Sequence, residues 1–240
     1  MGDINITLKW LNENPYTLDE LSDFLNNKGK EAGGLYIWLY GNPKCIRYIG
    51  EAKNFRSRFY THAYNITHGL YTAIECPDKN LRKFYEELNK DDKKIEDNFN
   101  KNPIYRPKKI LDDEKAKKTR CKFFARLNSK DLEKYVKDIV RGIQMRWNEF
   151  KDTEFLFAEI LVNNEPADPN LRKEVEACFM LKTADTYKAH WQAFDRTEFW
   201  GAISRYPKKD IVYKFQCEGI IHETLRDIGI KEQWEYSDKK

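Results

Sequence analysis

Much that would identify a protein at a glance is scarce in these 240 residues. The five cysteines (Cys45, Cys76, Cys121, Cys178, Cys217) are odd in number, widely spaced and form no CxxC pair, which argues against a disulfide framework and a structural zinc. The four histidines (His62, His68, His190, His222) make no HExxH grouping, and no glycine-rich phosphate loop occurs, so metalloprotease, Rossmann and P-loop readings fall away. No run approaches ~18 consecutive apolar residues, and the opening MGDINITLKW lacks the basic and apolar regions of a secretory signal. The expected location is cytoplasmic, with no membrane partner. There is no internal repeat and no low-complexity tract. Charge bias is also slight: 43 Lys and Arg against 39 Asp and Glu leave a formal +4, which by itself says little about a polyanionic partner.

What is present is a core-forming composition under a charged surface: 40% apolar, 14% aromatic and 34% charged residues. That excludes whole-chain disorder, and the length suits one large domain with insertions. Thr17-Leu18-Asp19-Glu20 matches a capping box and opens a helix over 17–28 that carries Leu21, Phe24 and Leu25 on one face and closes at Gly29. LYIWLY and CIRYIG, joined by the turn-like GNPK at 41–44, read as an antiparallel hairpin with strands near 35–40 and 45–50. Residues 54–65 form a helix with Phe55 and Phe59 on one face and Arg58 and His62 on another.

The stretch that follows is the most charged. Within 101–130, eleven Lys and Arg stand against three acidic residues, with Tyr105, Phe123 and Phe124 interleaved. Leu132, Tyr135, Val136, Ile139, Val140, Ile143 and Trp147 then follow the helical repeat of a segment burying one side. FLFAEILV at 155–162 is a strand, NNEPADPN at 163–170 a loop, and EVEACFMLKT at 174–183 a helix. Beyond lie an aromatic stretch at Trp191–Trp200 read as core, a strand at 211–215 and a helix at 221–228.

The chemistry concentrates in 34–62. A tyrosine from each hairpin strand, Tyr36 and Tyr48, can share one sheet face, and a helix starting just past the second strand can lay Arg58 and His62 across it. Phenols can orient or deprotonate water, and a guanidinium can hold a phosphate through two parallel hydrogen bonds. Singly, each residue has an ordinary structural role. Together they fit phosphodiester chemistry.

Gly34-Leu35-Tyr36, eleven further residues, Tyr48-Ile49-Gly50 and then EAKNFRSRFYTH resemble the GIY-YIG nuclease signature, with Asn54, Phe55, Arg58, Phe59 and His62 at the matching positions. Val175-Glu176-Ala177-Cys178-Phe179-Met180 is similar to the context of that family's later glutamate, with Glu174 as the alternative to Glu176. The resemblance implies an α+β fold, a small antiparallel three-stranded sheet flanked by helices, over about 33–65 and 151–185. A mainly helical basic insertion would span about 66–150 and a C-terminal extension about 186–240, all within one nuclease domain.

It further implies DNA hydrolysis with one divalent cation, Mg2+ or Mn2+, held by Glu176. Tyr36 would orient or deprotonate the attacking water, Tyr48 and His62 would support it, and Arg58 would offset charge on the phosphate. An ordinary phenol, with pKa about 10, needs nearby cations to serve as base at neutral pH, and Arg58 and the metal are the expected agents. Two departures stand out. About 85 residues separate the first helix from the third strand, and no asparagine follows Asn170, where relatives carry one and for which Lys188 or His190 is the candidate substitute.

Expected DNA contacts are Arg56 on the helix and Arg106, Lys108, Lys109, Lys117, Lys118 and Arg120 in the insertion. The expectation is a sequence-specific restriction endonuclease, a homodimer on duplex DNA with a possible cognate methyltransferase. Set against it are a structure-specific repair, recombination or mobile-element nuclease and a catalytically silent DNA-binding module.

Overall fold

The computed structural model describes residues 2–67, 74–75, 104–105, 129–187 and 205–237. The chain divides into two compact units, one of residues 1–60 and 150–240 and one of residues 61–149.

The first unit is built on one sheet. Its strands are β1 (Gly2–Trp10), β2 (Gly34–Tyr40), β3 (Cys45–Ala52), β6 (Glu154–Val162), β7 (Glu165–Pro166), β8 (Ile211–Glu218) and β9 (Gln233–Tyr236). The order is β3-β2-β6-β1-β8-β9, with β7 paired to β6. All pairings are antiparallel except β1 with β8. The expected three-stranded sheet is therefore corrected to seven strands within the same α+β class. The three anticipated strands are its β3-β2-β6 end. The enlargement comes from β1, whose alternating Ile4, Ile6, Leu8 and Trp10 put apolar side chains on one face and let it pair along the far side of β6.

Between the strands run α1 (Leu18–Asn26), a 3-10 turn (Lys28–Lys30), the start of α2 (Phe55–Thr67), α4 (Pro169–Tyr187) and α5 (Glu223–Asp227). The capping box forms: the Thr17 side chain accepts from the Glu20 amide, and the Glu20 carboxylate accepts from the Thr17 amide at 2.9 Å. Within 163–170, expected as a loop, residues 163–166 make a tight hairpin. Asn163 and Asn164 adopt φ of 52° and 65°, which closes β6 onto β7. Helix α4 then starts at Pro169, earlier than the apolar pattern suggests. Asp168 Oδ1 accepts the Asn170 and Leu171 amides at 2.7 and 3.1 Å, and those two bonds hold its carboxyl below the usual range.

Residues paired across strands share a face, and the two faces bury different things. Leu35, Ile37, Leu39, Ile49, Leu156, Ala158, Ile160, Ile6, Leu8, Tyr213 and Phe215 pack with Val175, Cys178, Phe179 and Met180 of α4 into the main core. On the opposite face Phe155 and Phe157 receive Phe24 of α1 and Phe55 and Phe59 of α2, with ring centroids 4.4–5.4 Å apart for the Phe157 contacts. This aromatic layer seats the first turns of α2 on the sheet.

The second unit contains the remainder of α2, the two-residue pair β4 (Ile74–Glu75) with β5 (Ile104–Tyr105), and α3 (Ser129–Lys151) up to Glu149. Val140 and Trp147, which the periodicity assigns to the buried side of α3, are exposed. Arg106, Lys108, Lys109, Lys117, Lys118 and Arg120, as well as Lys188, His190 and the Trp191–Trp200 stretch, lie outside the described residues.

No helix among the described residues is long and apolar enough to cross a membrane.

Candidate active site

Tyr36 and Gly50 stand opposite each other in the β2–β3 ladder, and Trp38 stands opposite Tyr48. All four share the face that receives α2. The pairing slips between Trp38 and Leu39, so Arg47 is an extra residue in β3 just ahead of Tyr48. Gly50 has to lack a side chain: a Cβ there would overlap the Tyr36 phenol and come within 2.7 Å of Tyr48 Cε1. Gly34, at φ 151°, lies so close to the Ala158 carbonyl that a Cβ would collide with it. The glycines of both motif triplets thus make room for the phenols and for the β2–β6 approach.

Arg58 arrives from α2. Asn54 starts this helix: its Oδ1 accepts the Ser57 amide at 2.8 Å, its backbone carbonyl accepts the Arg58 amide at 3.2 Å, and its Nδ2 donates to the Lys30 carbonyl. Phe55 and Phe59, both buried, press one side of the helix onto the aromatic layer. Arg58 is then aimed at the sheet. Its Nε donates to the Tyr36 phenol oxygen at 2.9 Å and its Nη2 to the Tyr48 phenol oxygen at 3.4 Å. The two hydroxyls are 3.5 Å apart, with Tyr36 donating to Tyr48, and the rings lie 5.7 Å apart. One guanidinium therefore bridges two phenols from adjacent strands.

The two phenols are not equivalent. Tyr36 is fully buried, against Phe59 at 5.3 Å, whereas Tyr48 is half-buried beside Trp38 at 5.0 Å. Burial pushes the Tyr36 phenol well above its ordinary value, and proximity to Tyr48 adds to this; the opposing effect of Arg58 does not overcome them. The expectation that Arg58 makes Tyr36 more acidic is thus outweighed by desolvation. For Arg58, burial acts to lower the pKa, but the two phenols together raise it further above its ordinary value, so it remains a cation.

Two glutamates two residues apart on α4 point to different partners, because a helix turns by ~200° between them. Glu174 is buried in a structural role: its carboxylate accepts from the Tyr213 hydroxyl at 2.8 Å and from Arg205 Nε at 2.6 Å, while Arg205 Nη1 donates to Asn170 Oδ1 at 3.2 Å. Glu176 turns to β3, the edge strand, and its Oε1 accepts the Glu51 amide at 3.1 Å. That amide belongs to the residue immediately after Gly50, and the carboxylate reaches this edge from the α4 face of the sheet, opposite the face that carries Tyr36, Tyr48 and Arg58.

A second link, marked by no motif, accompanies it. Arg172, one turn before Glu176, donates from Nε to Glu51 Oε2 at 3.1 Å and from Nη1 to the Ala167 carbonyl at 2.7 Å. The available signal was an arginine four residues ahead of the glutamate, on one helix face.

His62 follows Arg58 by one turn of α2, falls within the second unit and is buried. Arg56, two residues before Arg58, lies over the exposed Tyr60, with Cζ 5.3 Å from the ring centroid and Nε donating to the Tyr60 hydroxyl at 3.0 Å.

Among the described residues no three His, Cys, Asp or Glu side chains gather to hold a metal. The donors at β3 suit a different arrangement, in which the protein offers a single carboxylate and a hard cation completes its oxygen shell from water and substrate. Glu176, a buried carboxylate with one oxygen on the Glu51 amide, is the group that would have to serve such an arrangement. Comparison with protein-family models, with curated proteins and with solved structures finds no match for this chain.

Proposed function

We propose that this chain is a GIY-YIG-type DNA endonuclease that hydrolyses phosphodiester bonds with a divalent cation, acting as a sequence-specific restriction endonuclease on duplex DNA. The observation that carries the reading is the Arg58 guanidinium donating to both the Tyr36 and Tyr48 phenols. Two phenols and a permanent cation at one spot suit a reaction in which water must be oriented and a phosphate must accept more negative charge.

In this scheme Tyr48, half-buried and with its oxygen already accepting from Tyr36 and Arg58, donates its hydroxyl hydrogen to the attacking water and aims it at phosphorus. The new P–O bond forms as the P–O3′ bond breaks, and the water proton ends on the leaving 3′-oxygen. Tyr36 stays a neutral phenol and holds Arg58 and Tyr48 in place; its burial and raised pKa suit it to that support better than to proton abstraction. Arg58 turns its remaining N–H groups to the non-bridging oxygens. Glu176 would hold Mg2+ or Mn2+, whose chemistry when bound is to offset charge on the leaving 3′-oxygen. His62 supports the helix that carries Arg58, and Arg56 contacts the DNA backbone together with the basic residues of 101–130. Cutting both strands calls for two such sites, hence a homodimer, and a restriction role calls for a partner methyltransferase.

The test is incubation of the purified chain with Mg2+ and long unmodified duplex DNA, wild type beside Glu176→Ala, with end-sequencing of the products. Discrete fragments sharing one short terminal sequence, absent with the variant, are expected. Cutting confined to flaps or junctions would replace restriction by structure-specific repair. No cutting of any DNA would leave a binding module.

A further inference from the structure

Two groups on one face of α4, a turn apart, hold the same residue of β3. Arg172 takes the Glu51 side chain at 3.1 Å, and Glu176 takes the Glu51 backbone amide at 3.1 Å. The Arg172 and Glu51 side chains are only 12% and 18% exposed, so water competes little for the pair. Arg172 is itself tied back to the chain entering the helix, through the Ala167 carbonyl at 2.7 Å. Glu51 follows directly on Gly50, the residue opposite Tyr36.

From this geometry we infer that Arg172 and Glu51 form a positioning clamp that sets the Glu176 carboxylate at the edge of β3. The inference rests on the proposed nuclease reading for its functional consequence, though not for the clamp itself. Without the clamp, the first turns of α4 keep their apolar packing through Val175, Cys178 and Phe179, but the link fixing the height of Glu176 along β3 is gone. A carboxylate that must bind a cation from one fixed place is sensitive to such a change. Groups that orient a metal ligand typically alter metal affinity or activity by ~10–100-fold when removed. Arg172→Lys keeps the charge and can still reach Glu51, but a single ammonium cannot reproduce both directed bonds of the guanidinium.

Two readouts on the full chain separate the clamp from the reaction. The first is hydrogen exchange of the Glu51 amide, followed by NMR. In Arg172→Ala it should quicken by about tenfold, as expected for one hydrogen bond of ordinary strength, while the Ile49 amide and the melting temperature change little. The second is the Mg2+ concentration giving half-maximal cleavage of duplex DNA. This should rise by ~10–100-fold in Arg172→Ala, return part of the way in Arg172→Lys, and approach the wild-type rate at saturating Mg2+. Unchanged Glu51 exchange in Arg172→Ala would overturn the clamp. Faster exchange with an unaltered Mg2+ requirement would overturn its role in positioning. If exchange responds as expected but wild-type protein cuts no DNA, the clamp stands and the nuclease reading fails. Should Arg172→Ala not fold, the same two measurements on Arg172→Lys and Glu51→Gln decide the matter.

Discussion

Arg58 of α2 and Tyr36 of β2 meet through a 2.9 Å hydrogen bond from Nε to a phenol oxygen that belongs to a fully buried side chain. The arginine is thus anchored at its inner nitrogen, and Nη2 continues to Tyr48. Lysine keeps the charge but loses this two-pronged hold. Arg58→Lys is expected to lower single-turnover DNA cleavage by ~10²–10³-fold, the usual effect of removing a directed donor to developing charge. A rate within tenfold of wild type would remove Arg58 from the reaction.

The unequal burial of the phenols separates their variants. Tyr48→Phe should abolish cleavage with little change in stability. Tyr36→Phe should lower stability by ~1–3 kcal/mol, because the Arg58 Nε loses its acceptor inside the protein, and it should retain measurable cleavage. Urea unfolding beside cleavage assays checks both. The opposite pattern would return the water-orienting role to Tyr36.

A methyl group at position 50 cannot be accommodated without displacing Tyr36 or Tyr48. Gly50→Ala is therefore expected to cost ~1–3 kcal/mol by overpacking and to disable cleavage more than the stability loss explains. Equilibrium unfolding and cleavage at the same temperature measure the two effects.

The glutamates of α4 should divide stability from activity. Glu174→Gln weakens a buried acceptor of both Tyr213 and Arg205 and is expected to lower stability by ~1–3 kcal/mol with cleavage kept. Glu176→Gln should do the reverse. Both variants losing activity alike, at matched folded fractions, would undo the division of roles.

Alkaline pH offers a check on burial. Tyr36 and Tyr213 both have phenols raised above the ordinary value of 10 by desolvation, so the folded state keeps protons that the unfolded state gives up. Their contribution to stability is complete below pH 10 and is lost as pH climbs from there through the folded-state values. Stability should therefore decline above pH 10, and the decline should be shallower in Tyr36→Phe and in Tyr213→Phe. Tyrosinate absorbance rising in two stages, the second coincident with unfolding, is the expected signature.

The sequence carries its own structure where the physics is local. Thr17 and Glu20, three positions apart, form a cap from neighbouring residues, and the hairpin strands carry their own turn. The clustering of Tyr36, Tyr48 and Arg58 also lies within a short span of chain. What stayed hidden depends on partners far along the chain. β1 shows a period-two alternation, yet nothing nearby says that it pairs with β6 on one side and β8 on the other. The choice between Glu174 and Glu176 turns on which lies towards Tyr213 and which towards Glu51, and the Glu51 link to Arg172 spans more than a hundred residues.

The central place of β1 also bears on how the protein is made. Ile4 leaves the ribosome well before its ladder neighbour Tyr213, which lies far along the chain. Until β6 and then β8 emerge, β1 offers two open edges and the apolar side chains Ile4, Ile6 and Leu8 to other chains in the cell. Such widely separated pairings give a high contact order, and slow completion of the sheet follows. For this molecule the hazard of misassembly is greatest during translation, when β1 waits for β6 and β8, which follow it by well over a hundred residues.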